Sequence, residues 1–137
     1  REACEKVGFF YLQVLSKHKS RDVEELFENV LQQSKTFFAL PIDKKRSLYD
    51  PIMNRGYTAM EEETLDPRSQ KKGDTKEGYY IGRDIPKDSS KYDPDKLAGP
   101  NVWPSSDCGI DDNIRWKETM NQYHHFASAI SFRLVQY

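Results

Sequence analysis

The sequence predicts a single-domain α+β fold, and three observations predict it. Apolar residues recur at helical spacing between Val23 and Phe38, and again between Trp116 and Leu134. Two aromatic runs, residues 7–14 and 78–82, are flanked by turn-forming residues and read as strands. The length, 137 residues, suits one domain or part of one.

In chain order, residues 1–6 read as the last turns of a helix. Residues 7–14 (Val-Gly-Phe-Phe-Tyr-Leu-Gln-Val) follow as a nearly continuous apolar strand, the pattern of a strand covered on both faces. Residues 17–19 form a polar turn. Ser20 and Asp22 are candidate caps for a helix whose stripe is Val23, Leu26, Phe27, Val30, Leu31, Phe37 and Phe38. Pro41 interrupts it and suits the start of a short helix over residues 42–49, closed by Asp50-Pro51. Residues 54–58 read as a short strand, and 61–73 as a charged surface loop. Residues 86–113 carry four prolines, with Tyr92, Leu97, Val102 and Trp103 as apolar anchors, so this long irregular stretch is expected to be pinned to the body. Asp111 or Asp112 caps the last helix, where Trp116, Met120, Tyr123, Ala127, Ile130 and Leu134 make a buried stripe.

Composition excludes several classes. Lys+Arg 21 against Asp+Glu 22 gives a net charge of −1 with the signs interspersed, which argues against a nucleic-acid surface. No apolar run approaches the ~20 residues of a membrane span. The charged first residues lack a signal peptide's apolar stretch, so a cytoplasmic protein is expected. Cys4 and Cys108 match no CxxC pattern and read as reduced thiols. There is no initiating Met, and the final periodic stretch runs to Tyr137 without a helix stop, so a piece of a longer protein is expected.

The stretch 74–82 carries the most information. On a strand, Tyr79 and Ile81 share one face, while Gly78, Tyr80 and Gly82 share the other. That second face offers a phenol with open floor on either side, which a helix or a ligand can cover.

Landmarks recur in a particular order: Ala3-Cys4 before Gly8-Phe9-Phe10; Phe37-Phe38-Ala39-Leu40-Pro41 before Lys44-Lys45; Arg55-Gly56-Tyr57; Lys76-Glu77-Gly78-Tyr79-Tyr80-Ile81-Gly82; and Gly99-Pro100-Asn101-Val102-Trp103-Pro104. Together they resemble the N-terminal region of the isopenicillin N synthase-like, 2-oxoglutarate/Fe(II)-dependent oxygenases. The turn after Gly-Phe-Phe departs from the family's Asn-His-Gly type, with Val14-Leu15-Ser16-Lys17-His18 in its place. The resemblance implies a helix-and-strand region preceding a double-stranded β-helix (jelly-roll) core that lies outside this chain. On that reading the whole of residues 1–137 is the N-terminal region: helix-strand-helix over 1–60, the aromatic strand and long loop over 61–113, and a long, truncated helix over 114–137.

The family holds iron with His-x-Asp or His-x-Glu plus a distant His, and the co-substrate carboxylate with Arg-x-Ser. None of His18, His124 and His125 begins a His-x-acid motif, and no arginine begins Arg-x-Ser. Fe(II) and 2-oxoglutarate are therefore implied for the complete enzyme and for none of these residues. Adjacent His124 and His125 diverge by about 100° around a helix, so a packing or solvent role is expected. The run Glu61-Glu62-Glu63 reads as a solvated loop, and Lys76 and Glu77 as members of a structural ion pair.

The resemblance assigns this region a substrate wall. Arg55 is the candidate cation for a substrate carboxylate, the alternative being an ion pair with a loop acid such as Glu61. Tyr80 is the candidate aromatic wall, and Tyr57 a third choice that equally reads as half-buried core. The expected partners are a small organic substrate and the C-terminal catalytic core of the same protein. The rival reading is a non-catalytic interaction module that binds a partner protein along the 116–134 stripe.

Overall fold

The computed structural model describes residues 2–12, 20–64, 66, 68–69 and 71–136. A π-helical turn, Ala3–Val7, opens the chain and ends at Gly8, whose φ of +87° no β-carbon obstructs; its N–H donates to the Ala3 carbonyl at 2.7 Å. The strand expected over residues 7–14 does not form in the part described. Val7 belongs to the turn, and residues 8–12 have no regular structure and are exposed. A strand is held by a neighbour's hydrogen bonds, and none of the described strands lies beside it. Residues 13–14 and the expected turn at 17–19 lie outside the described residues.

Helix α1, Ser20–Phe38, carries the expected stripe, but only its C-terminal end enters the core. Phe37 is wholly buried, Val30 and Phe38 pack against the core, and Leu31 remains exposed. Phe27 instead meets Tyr123 and Phe126 edge-on, at 5.8 and 5.9 Å between ring centroids. After Pro41 comes α2, Ile42–Arg46, shorter than expected. Tyr49–Asp50 is recruited as strand β1 by pairing with β2, Arg55–Thr58. Asp50 Oδ1 accepts the N–H groups of Ile52 and Met53 at 2.9 and 3.1 Å, so the aspartate builds the turn between them.

Strand β3, Gly78–Tyr80, completes an antiparallel sheet of order β1-β2-β3. Tyr57 lies opposite Tyr79, and Gly56 opposite Tyr80. Gly56 has φ +91°, and any β-carbon there would collide with the Leu48 carbonyl oxygen, so this position demands glycine.

The long helix α3, Asn113–Val135, packs on α1 and is capped as expected. Asp112 Oδ1 accepts the Arg115 N–H at 2.9 Å. Trp116 is buried and donates Nε1–H to the Gln33 carbonyl at 3.1 Å. Its ring, Phe37 and Tyr79 form the centre of the core, with Phe37–Tyr79 at 4.7 Å and Tyr79–Trp116 at 5.1 Å. The stretch 86–113 is pinned as expected through Val102 and Trp103, both packed on the core. Tyr92 is half-buried, but Leu97 is exposed and turns the chain at φ +54°, anchoring it by its carbonyl rather than by its side chain. Cys4 is exposed and Cys108 buried, both as free thiols.

Candidate functional site

Alternation along β3 directs its side chains as the sequence implied. Tyr79 and Ile81 pack towards the core, and the Tyr79 hydroxyl donates to the Val102 carbonyl at 2.7 Å. Burial pushes the Tyr79 phenol well above the ordinary tyrosine range. Tyr80 lies on the other face. Its hydroxyl donates to Glu63 Oε2 at 3.0 Å, and Lys76 Nζ meets the same oxygen at 2.6 Å. The Lys76 and Tyr80 hydrogen bonds hold the Glu63 carboxyl below its ordinary range. Beside this group lies an open cleft of about 270 Å³ lined by Tyr49, Asn54, Thr58, Glu62, Glu63 and Tyr80.

Among the described residues, the atoms nearest an added β-carbon at either Gly78 or Gly82 belong to the sheet's own side chains, Tyr80 and Arg55. At Gly78 an added β-carbon would make only ordinary contact with the Tyr80 ring, at 3.8 Å. At Gly82 it would collide with the Arg55 guanidinium, so glycine there admits that side chain. Arg55 Nη1 donates to the carbonyls of Met53 and Asn54 at 2.9 and 3.2 Å, and Nη2 to that of Leu97 at 3.0 Å. Its Nε is buried and has no hydrogen-bond partner among the described residues. The alternative expected for Arg55, pairing with Glu61, does not occur; Glu61 faces Lys72 at 3.9 Å. Arg55's charge reaches His124 on α3, whose imidazole is held below its ordinary range by burial first, then by His125 and Arg55. His124 helps line a groove of about 380 Å³ with Ile81, Tyr123, Ala127, Ser128, Ser131 and Phe132.

Tyr57 sits on the core face, 3% exposed, and donates its hydroxyl to Glu77 Oε2 at 2.6 Å. Burial and that bond push its phenol up to about 12. Lys45 Nζ reaches the same Glu77 oxygen at 2.7 Å and the Phe38 carbonyl at 3.0 Å, and lies 5.2 Å from the centre of the Tyr57 ring. Lys76 and Glu77 are both ion-paired, each with a partner from another segment. Arg55, Tyr57 and Tyr80 thus occupy three separate environments on one small sheet.

Residue-by-residue reasoning missed the residues that fix this sheet's end. Asn101 closes on the Gly82 backbone with two bonds of 2.8 Å, accepting its N–H and donating to its carbonyl. Asp84 accepts the Asn101 N–H and the Trp103 indole N–H, each at 2.9 Å. The signal for Asn101 and Trp103 lies in Gly99-Pro100-Asn101-Val102-Trp103-Pro104, where an Asn and a Trp stand between turn-forming prolines. Buried Lys45, bonded to Glu77, carries no comparable signal beyond its place after Pro41.

The described residues do not fit a metal. Among those described, no three His, Cys, Asp or Glu side chains converge, and the His124 and His125 rings stand 6.1 Å apart at an interplanar angle of 65°. The Glu61–Glu63 run is divided among separate cations: Lys72 for Glu61, Arg46 for Glu62 and Lys76 for Glu63.

Comparison with known proteins decides the family. The profile described as "non-haem dioxygenase in morphine synthesis N-terminal" matches residues 1–106. The chain belongs to this N-terminal dioxygenase family. Kihadalactone A synthase of Citrus sinensis is 38% identical over 126 residues, covering 90% of this chain and 34% of that protein. The 2-oxoglutarate-Fe(II) type oxidoreductase hxnY of Emericella nidulans is 34% identical, covering 91% of the chain and 34% of its own length. The 2-oxoglutarate-dependent dioxygenase caaD of Aspergillus niger is 41% identical over 106 residues, 76% of the chain and 30% of that enzyme. This N-terminal dioxygenase region therefore spans about a third of the length of these relatives. No solved structure matches it. Among the described residues, no helix is long and apolar enough to cross a membrane.

Proposed function

We propose that this N-terminal dioxygenase region braces the catalytic core of a cytoplasmic 2-oxoglutarate/Fe(II)-dependent oxygenase and forms part of the wall against which a small organic substrate lies. The core is a jelly roll contributed by residues outside this chain. Fe(II) and 2-oxoglutarate, held there, supply the oxidising power when bound. This region's own residues bind and orient.

The observation that carries the wall is the two-sidedness of the sheet. Its core face is packed by Phe37, Tyr79 and Trp116, whereas its other face presents Tyr80 to an open cleft. A ring held by Glu63 and Lys76 is a fixed surface for a flat ligand. Arg55 adds a guanidinium at the sheet's end with donors left over. Three of its five N–H groups go to carbonyls, and Nε–H is unspent. Tyr57, packed under Lys45, shapes the wall from behind.

The brace rests on α3. Its first two turns bury Trp116, Thr119 and Met120, while Phe132 and Val135 at the far end are exposed.

The test uses the full-length protein. Arg55→Ala and Tyr80→Ala should raise the apparent constant for the substrate while leaving uncoupled 2-oxoglutarate turnover and iron affinity largely intact. Collapse of uncoupled turnover in Arg55→Ala would make that residue structural and remove it from the wall.

A further inference from the structure

Strand pairing creates a slot on the outer face of the sheet. Tyr49 lies opposite Gly56, and Gly56 opposite Tyr80, so one row across the three strands reads tyrosine, glycine, tyrosine. The two tyrosines stand two strand spacings apart, roughly 10 Å, with no side chain between them. A planar group touching an aromatic surface on each side needs about 7–8 Å, twice the carbon–carbon contact distance. In the next row Thr58 lies opposite Gly78, which leaves floor beside the Tyr80 ring. Both phenols line the open cleft of about 270 Å³. Tyr49 is 48% exposed, an aromatic ring that the packing of the core does not use. The cleft is smaller than the ~300–1,000 Å³ of a typical small-molecule pocket, so it takes one ring of a ligand rather than a whole molecule.

The polar lining sets the charge of what can enter. Asn54, Thr58, Glu62 and Glu63 surround the two rings, all of them able to accept hydrogen bonds, and no cationic side chain is among the described residues of the lining. Arg46 and Lys76 balance the two glutamates from outside it, at 3.2 and 2.6 Å. Lys76 and the Tyr80 hydroxyl both meet Glu63 Oε2, which leaves Oε1 towards a ligand. Asn54 is set in place by its backbone, since its φ is +48° and its carbonyl accepts from Arg55 Nη1 at 3.2 Å. An anion here would face two carboxylates and the electron-rich faces of two rings. A planar group with a positive charge or N–H donors meets complementary partners on every side.

We propose that this cleft binds one flat, nitrogen-bearing group, seated between Tyr49 and Tyr80 with its positive charge or N–H donors turned to Glu63. On the preceding reading, on which this rests for the ligand being the substrate, the group belongs to the molecule that is oxidised. Tyr49 and Asn54 then join Tyr80 in the wall, and Arg55 acts on the cleft as a positioning residue through Asn54.

The probes are benzamidinium, benzamide and benzoate, flat molecules of one shape with a positive, a neutral and a negative head. Their binding to the full-length protein is followed by NMR at Tyr49 and Tyr80, with iron binding and 2-oxoglutarate consumption measured on the same sample. Benzamidinium should bind at least about 10-fold more tightly than benzoate, with benzamide between them. Tyr49→Ala should weaken benzamidinium by at least about 5-fold, and Tyr49→Phe, which keeps the ring, should not. Glu63→Gln keeps an acceptor for the Tyr80 hydroxyl and should abolish the preference for benzamidinium over benzamide. Benzoate binding as tightly as benzamidinium, no binding of any probe, shifts confined to other residues, or unchanged affinity in Tyr49→Ala each overturns the proposal. If iron binding and 2-oxoglutarate consumption persist in that sample, the oxygenase reading stands without it. The expected preference in a protein that takes up no iron and consumes no 2-oxoglutarate supports the cleft's selectivity and overturns the oxygenase reading instead.

Discussion

Replacing Lys45 by Met tests the buried ion pair that joins α2 to the entrance of β3. Lys45 is 6% exposed and donates to Glu77 at 2.7 Å and to the Phe38 carbonyl at 3.0 Å, with two aromatic rings against its ammonium. Methionine keeps much of the stem's packing and removes the charge. Glu77 is left beside Tyr57 with no cation, and the Phe38 carbonyl loses the lysine as donor. Removing one partner of a buried pair costs about 3–5 kcal/mol. The Glu77 side chain keeps 24% of its exposure and can recover some hydration, so we expect about 2–3 kcal/mol. For a domain of this size that is a fall in melting temperature of roughly 6–12 °C by circular dichroism. Acid provides a second readout. Burial raises the Glu77 carboxyl, but the bonds from Lys45 and Tyr57 outweigh it and the net shift is downward. A carboxyl lower in the folded than in the unfolded chain contributes stability above the ordinary carboxylate range and loses it as pH falls through that range. The parent should therefore weaken on acidification below about pH 4.5, and Lys45→Met should weaken less steeply. Lys45→Met/Glu77→Leu should regain most of the loss, since two apolar groups leave no buried charge. A single variant melting within about 2 °C of the parent, with an unchanged acid slope, would refute the argument.

Gly56→Ala must place a β-carbon against the Leu48 carbonyl at a φ of +91°, and should cost at least about 2 kcal/mol in urea unfolding. Asn101→Ala removes both bonds to the Gly82 backbone and should cost about 2 kcal/mol, with faster hydrogen exchange at the Gly82 amide. His124 should titrate in NMR below the ordinary imidazole range, and Arg55→Gln should move its midpoint upward by removing a nearby positive charge. Tyr57 carries the opposite linkage to Glu77. Its folded-state value of about 12 exceeds the unfolded value of 10.0, so the stability it contributes is intact below pH 10 and lost as pH rises towards 12; Tyr57→Phe should flatten that alkaline loss in a pH series of urea melts.

Periodicity made the helices legible because a helix satisfies its own backbone. Both long helices, the Asp112 cap and the break at Pro41 follow from local chemistry. The strands were legible where a described strand pairs with them. Residues 78–80 found β2, whereas residues 8–12, with as strong an aromatic pattern, pair with none of the described strands and are irregular. Tyr49 and Asp50 show the converse error: helical spacing claimed them, and pairing with Arg55 and Gly56 took them. At the candidate site, alternation correctly separated Tyr79 from Tyr80. It could not show that Arg55 spends its guanidinium on three carbonyls, because those carbonyls come from residues 53, 54 and 97, and only the third dimension assembles them.

The same contrast bears on the proposed substrate wall. Everything that fixes the sheet lies on its core side or at its ends: the Lys45–Glu77–Tyr57 group beneath β2, the Tyr79 hydroxyl on Val102, and the Asn101 clasp on Gly82. The outer face is held by less, with Tyr80 resting on a single carboxylate from the 61–73 loop. Loops tolerate change because few buried contacts depend on them. A substitution at Glu63 can therefore re-aim the Tyr80 ring while the core-side bonds keep the strand in place, whereas a substitution at Glu77 cannot alter the ring without loosening the strand beneath it. In the proposed wall the surface would thus vary independently of its support, an arrangement that would let one scaffold accommodate different ligands.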